Sequence, residues 1–162
     1  MEYRGILYRA ISPRYARTPL SGDGAALYGG RFNRKGMPAL YTSMDLMTCL
    51  YEANQTGGFY PATLVAYDAY FTNLIDSSEL SASDTQVFAE SNDWRTEMNT
   101  RGSAPSQDMA FALSEAGFDG LIVPSFEPRA ARTNGRNLVL WRWGPNLPAQ
   151  ITVIDPENRL VF

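Results

Sequence analysis

Histidine is absent from this sequence, and lysine and cysteine occur once each, at Lys35 and Cys49. Without histidine there is no Ser-His or Cys-His nucleophile pair and no metal site that needs imidazole. A single cysteine forms no internal disulfide, and it excludes zinc ribbons and iron–sulfur clusters. No stretch approaches the roughly 18 apolar residues of a membrane span. Met1 to Ala10 interleaves charged with apolar residues and lacks the unbroken apolar stretch of a signal peptide. The chain therefore reads as cytoplasmic. A net charge of −3 runs against the basic footprint of a nucleic-acid binder. No metal, nucleic acid or membrane is expected as a partner. The chemistry falls to carboxylates, hydroxyls, arginines and backbone amides.

What is present suits one domain spanning residues 1–162, of a size that buries about 70% of the surface its unfolded chain exposes. Hydrophobic residues make up 44% and charged residues 19%, the balance of a globular chain and not of a disordered one. Of the 14 basic residues, 13 are arginine. Arginine grips phosphate in a bidentate fork, which suits a nucleotide diphosphate. Codon bias in a GC-rich genome is the simpler cause of the overall ratio, so each arginine has to carry its own argument.

Tyr3 to Arg9 reads as a first strand, ended by Ser12-Pro13. Residues 17 to 30, with Pro19, Gly22, Gly24, Gly29 and Gly30, read as a loop, and Ala39 to Thr42 as a short strand. Ser43 reads as a helix N-cap, with Asp45 favourably placed for the helix dipole. Leu46, Cys49, Leu50 and Ala53 follow at helical spacing, up to a stop at Gly57-Gly58. Thr63 to Phe71 is expected as a central strand. Residues 77 to 104 are polar and helix-compatible, with Val87, Phe88 and Trp94 as anchors. A second helix is expected from Ser106 to Ala116, stopped by Gly117. Strands at Gly120–Val123, Asn137–Trp143, Gln150–Ile154 and Arg159–Phe162 complete an α+β chain.

Gly22-Asp23-Gly24 is similar to part of a dinucleotide fingerprint, but it lacks the third glycine and the strand–turn–helix setting, so it reads as an exposed loop. Gly29-Gly30-Arg31-Phe32-Asn33 has two readings. The glycines let a backbone come close to a ligand and Arg31 can fork onto a diphosphate, or the run is a tight turn with a surface arginine. Tyr41-Thr42-Ser43 lies between a strand end and a helix start, where Tyr41 can stack on a nicotinamide-like ring or serve as a core aromatic. Taking 100° per residue, Glu52 sits about 110° from the centre of its helix's apolar stripe. A carboxylate on that flank can line a cleft and stabilise positive charge, or simply balance charge on a solvated helix. Val123-Pro124-Ser125 closes an apolar strand; with no histidine to activate it, Ser125 is suited to hydrogen bonding rather than to nucleophilic attack.

Taken in order, Leu7-Tyr8-Arg9, Gly29 to Asn33, Gly36, Leu40 to Ser43, Glu52 and Val123-Pro124-Ser125 resemble the RES domain, from about residue 5 to residue 143. The family's arginine, glutamate and serine match Arg31, Glu52 and Ser125, and Asn137 matches a further recurring position. Phe32 stands where tryptophan is common, and residues 77 to 104 show no family pattern. The resemblance implies an ADP-ribosyltransferase-like fold: a split, mainly antiparallel sheet with flanking helices and NAD⁺ held in the cleft. It implies the toxin of a pair whose antitoxin carries an Xre-like DNA-binding domain. Such a toxin breaks the nicotinamide–ribose bond of NAD⁺ and passes ADP-ribose to water, phosphate or a protein, phosphoribosyl pyrophosphate synthetase being one acceptor. On this reading Glu52 stabilises the oxocarbenium-like ribose. Arg31 and Arg9 hold the diphosphate, Tyr41 packs on nicotinamide, and Ser125 and Asn137 bind nearby.

Transfer to a protein acceptor is the favoured outcome, with hydrolysis or phosphorolysis of free NAD⁺ as the alternative. Two readings come from other classes. A nucleotide-binding module without turnover would be indifferent to Glu52→Gln. A carboxylate glycosidase would pair Glu52 with Asp68 or Asp119 at roughly 5 to 10 Å across one cleft. An antitoxin plugging the cleft is expected to centre on the loop from 17 to 36.

Overall fold

A computed structural model describes residues 1–55 and 60–160. In chain order the described elements are β1 (Tyr3–Ile11), α1 (Asp23–Tyr28), β2 (Leu40–Ser43), α2 (Leu46–Ala53), β3 (Thr63–Phe71), β4 (Leu74–Asp76), α3 (Ala82–Ala89), α4 (Trp94–Arg101), α5 (Pro105–Glu115), β5 (Gly120–Pro124), α6 (Pro128–Arg132), β6 (Arg136–Leu140) and β7 (Ala149–Val153). The strands form one sheet in the order β4-β5-β6-β2-β1-β3-β7. Every neighbouring pair is antiparallel except β4 and β5. The class is α+β, as the residue pattern implies. No described helix is long and apolar enough to cross a membrane.

Side-chain alternation decides which faces are covered. In β3, Val65, Tyr67, Ala69 and Phe71 are buried while Leu64 and Asp68 face outwards, so this half of the sheet has one dry face. In β5 and β6 the runs Leu121-Ile122-Val123 and Leu138-Val139-Leu140 are buried on both faces. Ile122, Leu138 and Leu140 join Leu7, Leu40 and Tyr67 in one core cluster. Leu121, Val123 and Val139 join Phe32, Phe88 of α3, Ala110 of α5 and Trp141 in the other.

The sheet parts between β1 and β2. β1 pairs with β3 along its whole length, and β2 pairs with β6 at four positions. Between β1 and β2 only Tyr8 opposes Ser43. Beyond that pair the strands diverge, and this is the split in the sheet.

Several elements differ from the sequence expectation. Within residues 17 to 30, α1 forms with Asp23 in its first turn and stops at Gly29, where φ is 73°. It buries none of its residues, so it leaves no apolar period to read. Asp45, not Ser43, caps α2, accepting from the Thr48 N–H at 2.8 Å. α2 ends at Ala53, and the expected Gly57-Gly58 stop lies outside the described residues. β6 ends at Leu140 because Trp141 and Arg142 both donate their N–H to the Asp119 carbonyl and bend the chain. Arg159 and Leu160 form a turn rather than a strand; the rest of that expected strand lies outside the described residues. β4 and α6 have three and five residues, too few for a legible period.

Gly120 tests the sheet packing. A Cβ there would sit 2.6 Å from the Val139 carbonyl oxygen of the neighbouring strand, whereas one at Gly24 would meet nothing within 4 Å. Gly120→Ala is expected to lower unfolding stability by about 2 kcal/mol in urea titrations. Gly24→Ala is expected to leave stability unchanged or slightly raised. Equal behaviour of the two variants would contradict the register of β5 against β6.

Candidate functional site

The run Gly29 to Asn33 is a tight turn, and the structure shows why the turn also presents an arginine. Gly30 and Asn33 pair through their backbones. Side chains from elsewhere in the chain then satisfy every carbonyl from Gly30 to Asn33. Gln107 Nε2 donates to the Gly30 and Asn33 oxygens at 2.9 and 3.1 Å. Ser106 Oγ donates to Arg31 O at 2.7 Å and Trp141 Nε1 to Phe32 O at 3.0 Å. Asn33 is fully buried, its Nδ2 shared among the Ala25, Arg34 and Met37 carbonyls. The Tyr41 hydroxyl donates to Asn33 Oδ1 at 2.7 Å and accepts the Phe32 N–H at 3.0 Å. Burial pushes the Tyr41 phenol far above its ordinary range, so it stays protonated. With the backbone fixed, the half-buried Arg31 side chain projects outwards. It donates to Asn92 Oδ1 at 2.8 Å and lies 5.0 Å over the Phe126 ring. Burial lowers the affinity of its guanidinium for a proton, and the nearby Glu52 partly offsets this.

Glu52 comes from the flank of α2, where its angular position predicts it. Its Oε1 accepts from Ser125 Oγ at 2.5 Å and from Asn137 Nδ2 at 2.7 Å. Gln55 Nε2 donates to Oε2. The amide of Asn137 is itself oriented, because Ser43 Oγ donates to its Oδ1 at 2.9 Å. The Ser43 hydroxyl, expected as a helix cap, therefore fixes the group that fixes Glu52. Ser125 is held from the other side: its N–H donates to Gly135 O at 2.8 Å and its Oγ accepts the Glu127 N–H at 3.3 Å.

These groups border a cleft in two lobes, opening where β1 and β2 part. The larger, of about 630 Å³, carries Arg31. The smaller, of about 240 Å³, carries Tyr8 and Arg9. Phe32, Tyr41, Glu52 and Asn137 line both, so the carboxylate stands at the junction. Five of the six residues selected from the sequence, Arg9, Arg31, Tyr41, Glu52 and Asn137, thus meet in one place. Ser125 is buried and lines neither lobe; it stands behind Glu52 and donates a hydrogen bond to it. Sequence reasoning missed the cleft contributions of Asn92, Trp94, Arg95, Phe126 and Glu127, although Trp94 stood out as an aromatic in a polar stretch.

The glycosidase pairing is not built. Asp68 is exposed on β3, Asp119 is bound to Arg142 at 2.9 Å, and neither lines the cleft. Glu127 does line it, but it caps α6 through Ala130 N and pairs with Arg129 Nε at 2.7 Å. Burial opposes its ionisation, yet those two partners outweigh burial and hold its carboxyl below the usual range. The dinucleotide-like Gly22-Asp23-Gly24 run opens α1 without a strand leading into it.

Cys49 borders the smaller lobe, and burial pushes its thiol up to about 11. A raised folded value means that the neutral thiol contributes stability below about pH 9, lost as pH rises towards 11. At pH 8, alkylation by iodoacetamide is expected to be at least about 100-fold slower in the folded protein than in urea. Equal rates would contradict the burial of this face of α2.

Comparison with known proteins agrees with this architecture. A model of the RES domain matches residues 6–162. A protein named Toxin Res from Yersinia enterocolitica is 28% identical over 125 residues, covering 74% of this chain and 75% of that protein. A second Toxin Res, from Photorhabdus laumondii, is 40% identical over 47 residues, which span only 30% of its length. Among solved structures, a chain in the M. tuberculosis MbcT–MbcA toxin–antitoxin complex superimposes with a TM-score of 0.62 at 22% identity, covering 96% of this chain and 85% of that one. The chain belongs to the RES-domain family.

Proposed function

We propose that this chain is the toxin of a toxin–antitoxin pair, acting in the cytoplasm, and that it cleaves NAD⁺ at the nicotinamide–ribose bond and transfers ADP-ribose to a protein. The observation that carries the reading is the convergence of Ser125 and Asn137 on Glu52 at the junction of two unequal lobes. A nucleoside diphosphate suits the larger lobe and a single aromatic ring the smaller. The ribose between them then lies at the carboxylate.

In this mechanism Glu52 accepts a hydrogen bond from a ribose hydroxyl and faces the sugar carbon that becomes electron-poor. The C–N bond breaks, its electron pair stays on the ring nitrogen, and neutral nicotinamide leaves. The resulting cation is stabilised by the Glu52 carboxylate and captured by the acceptor, which gives up its proton. Ser125 and Asn137 keep the carboxylate aimed, so it needs no reorganisation when charge develops. Arg31 takes the phosphates in the larger lobe, whereas Arg9 borders the smaller lobe, on the nicotinamide side. The Tyr41 ring packs on nicotinamide while its hydroxyl keeps the Gly30–Asn33 turn in place. Phosphoribosyl pyrophosphate synthetase is the acceptor that the family resemblance favours.

An antitoxin, with the Xre-like domain the family implies, covers the cleft in this account. Leu27 and Tyr28 of α1 are 66% and 71% exposed beside Gly29 at the rim of the larger lobe. Exposed apolar side chains at that spot support a partner seated over residues 17 to 36.

The test is incubation with NAD⁺ labelled on the adenylate, with and without cell lysate, alongside Glu52→Gln. Nicotinamide release is expected to fall by at least about 100-fold in the variant, with label on a lysate protein. Free ADP-ribose or its phosphate ester would instead make water or phosphate the acceptor. Release that is unaffected in Glu52→Gln would overturn the assignment of the carboxylate.

A further inference from the structure

Asn92, Trp94 and Arg95 come from the stretch in which the sequence alone offers no recognisable motif, yet they wall the larger lobe of the cleft. They are tied to the site directly, since Asn92 Oδ1 accepts from Arg31 Nη2 at 2.8 Å. Two features of this wall stand apart from the core packing. Trp141 and Trp143 commit their indole N–H groups to the Phe32 and Leu20 carbonyls. Trp94 is only half-buried and makes no such bond to a described residue, and α4 reaches the core through Met98 instead. Arg95 lies exposed with its guanidinium 4.8 Å over the Trp94 ring, and it forms no ion pair with a described residue.

The charges of the larger lobe are therefore divided. Arg31 and Arg95 are guanidiniums without a carboxylate partner among the described residues. Glu127 is engaged by Arg129 and Ala130, which leaves Glu52 as the acidic group facing the junction. Two guanidiniums and an indole in one lobe with one free carboxylate match a nucleoside diphosphate that ends in a ribose. We propose that Trp94 and Arg95 form a clamp for the adenylate end of the substrate: the indole stacks on the base, and Arg95 leaves the indole face to join Arg31 on the diphosphate. The clamp rests on the NAD⁺ reading and adds to it the residues that favour the dinucleotide over nicotinamide mononucleotide, which lacks the adenylate.

The experiment measures ADP binding by calorimetry and steady-state nicotinamide release for the wild type, Arg95→Ala, Trp94→Ala and Trp94→Phe. ADP affinity is expected to weaken about tenfold in each alanine variant, with KM for NAD⁺ rising by a similar factor and kcat within about twofold. Trp94→Phe keeps a stacking face and is expected to stay near the wild type. Product inhibition by nicotinamide, which reports on the other end of the cleft, is expected to be unchanged in all of them. Wild-type ADP affinity and KM in both alanine variants, or no ADP binding by the wild type, would overturn the clamp. Cleavage by the wild type with both alanine variants unaffected sinks the clamp alone. Absence of cleavage with ADP binding that still depends on Trp94 and Arg95 keeps the clamp and sinks the catalytic reading.

Discussion

One oxygen of Glu52 receives two donors, Ser125 Oγ and Asn137 Nδ2, and the architecture of the site depends on that convergence. The donors arrive from the end of β5 and the start of β6, while the carboxylate comes from α2. Each is tied back: Asn137 by Ser43 at the end of β2, Ser125 by the Gly135 carbonyl and the Glu127 N–H. A carboxylate held this way has lost most of its rotamer freedom, and removing either donor would strip a partner worth about 1–3 kcal/mol from a partly buried charge. α2 is short and buries Thr48 and Cys49, so this network adds a tie from its C-terminal half to β6 and the end of β5.

The cleft exists because the sheet is not continuous in its pairing. Between β1 and β2 a single residue pair survives, and the space beyond it becomes the smaller lobe. The other wall is the Gly30–Asn33 turn, whose four carbonyls are all satisfied by side chains of α5 and by Trp141. Buried Asn33 and the Tyr41 hydroxyl complete it. A loop whose carbonyls from Gly30 to Asn33 are all paired does not need water or ligand to hold its shape, so the backbone that carries Arg31 is fixed in advance.

Much of this was legible in the residues, and the reasons for the gaps are physical. The alternation in Thr63–Phe71 and the unbroken apolar runs of β5 and β6 report local burial, which period and composition encode directly. Glu52 was legible as a flank residue because a helix converts spacing into direction. Ser43 and Asp45 are both good caps, and tertiary register, with Ser43 drawn to Asn137, decides for Asp45. β4 is a strand only by virtue of pairing with β5, and α1 has no buried face to leave a trace. The place of Ser125 behind Glu52, rather than in the cleft, depends on contacts 73 residues apart, which no spacing rule reaches. The wall at Asn92–Arg95 is likewise carried by a long-range bond to Arg31.

Whether the ribose of NAD⁺ sits at Glu52 is read most directly from a crystal structure of the Glu52→Gln protein soaked with NAD⁺. The prediction is intact NAD⁺ with its nicotinamide-bearing ribose carbon about 3.5 Å from the residue-52 side chain, nicotinamide in the smaller lobe and the diphosphate on the Arg31 side. A dinucleotide bound in the opposite sense, or bound away from the junction of the two lobes, would contradict it.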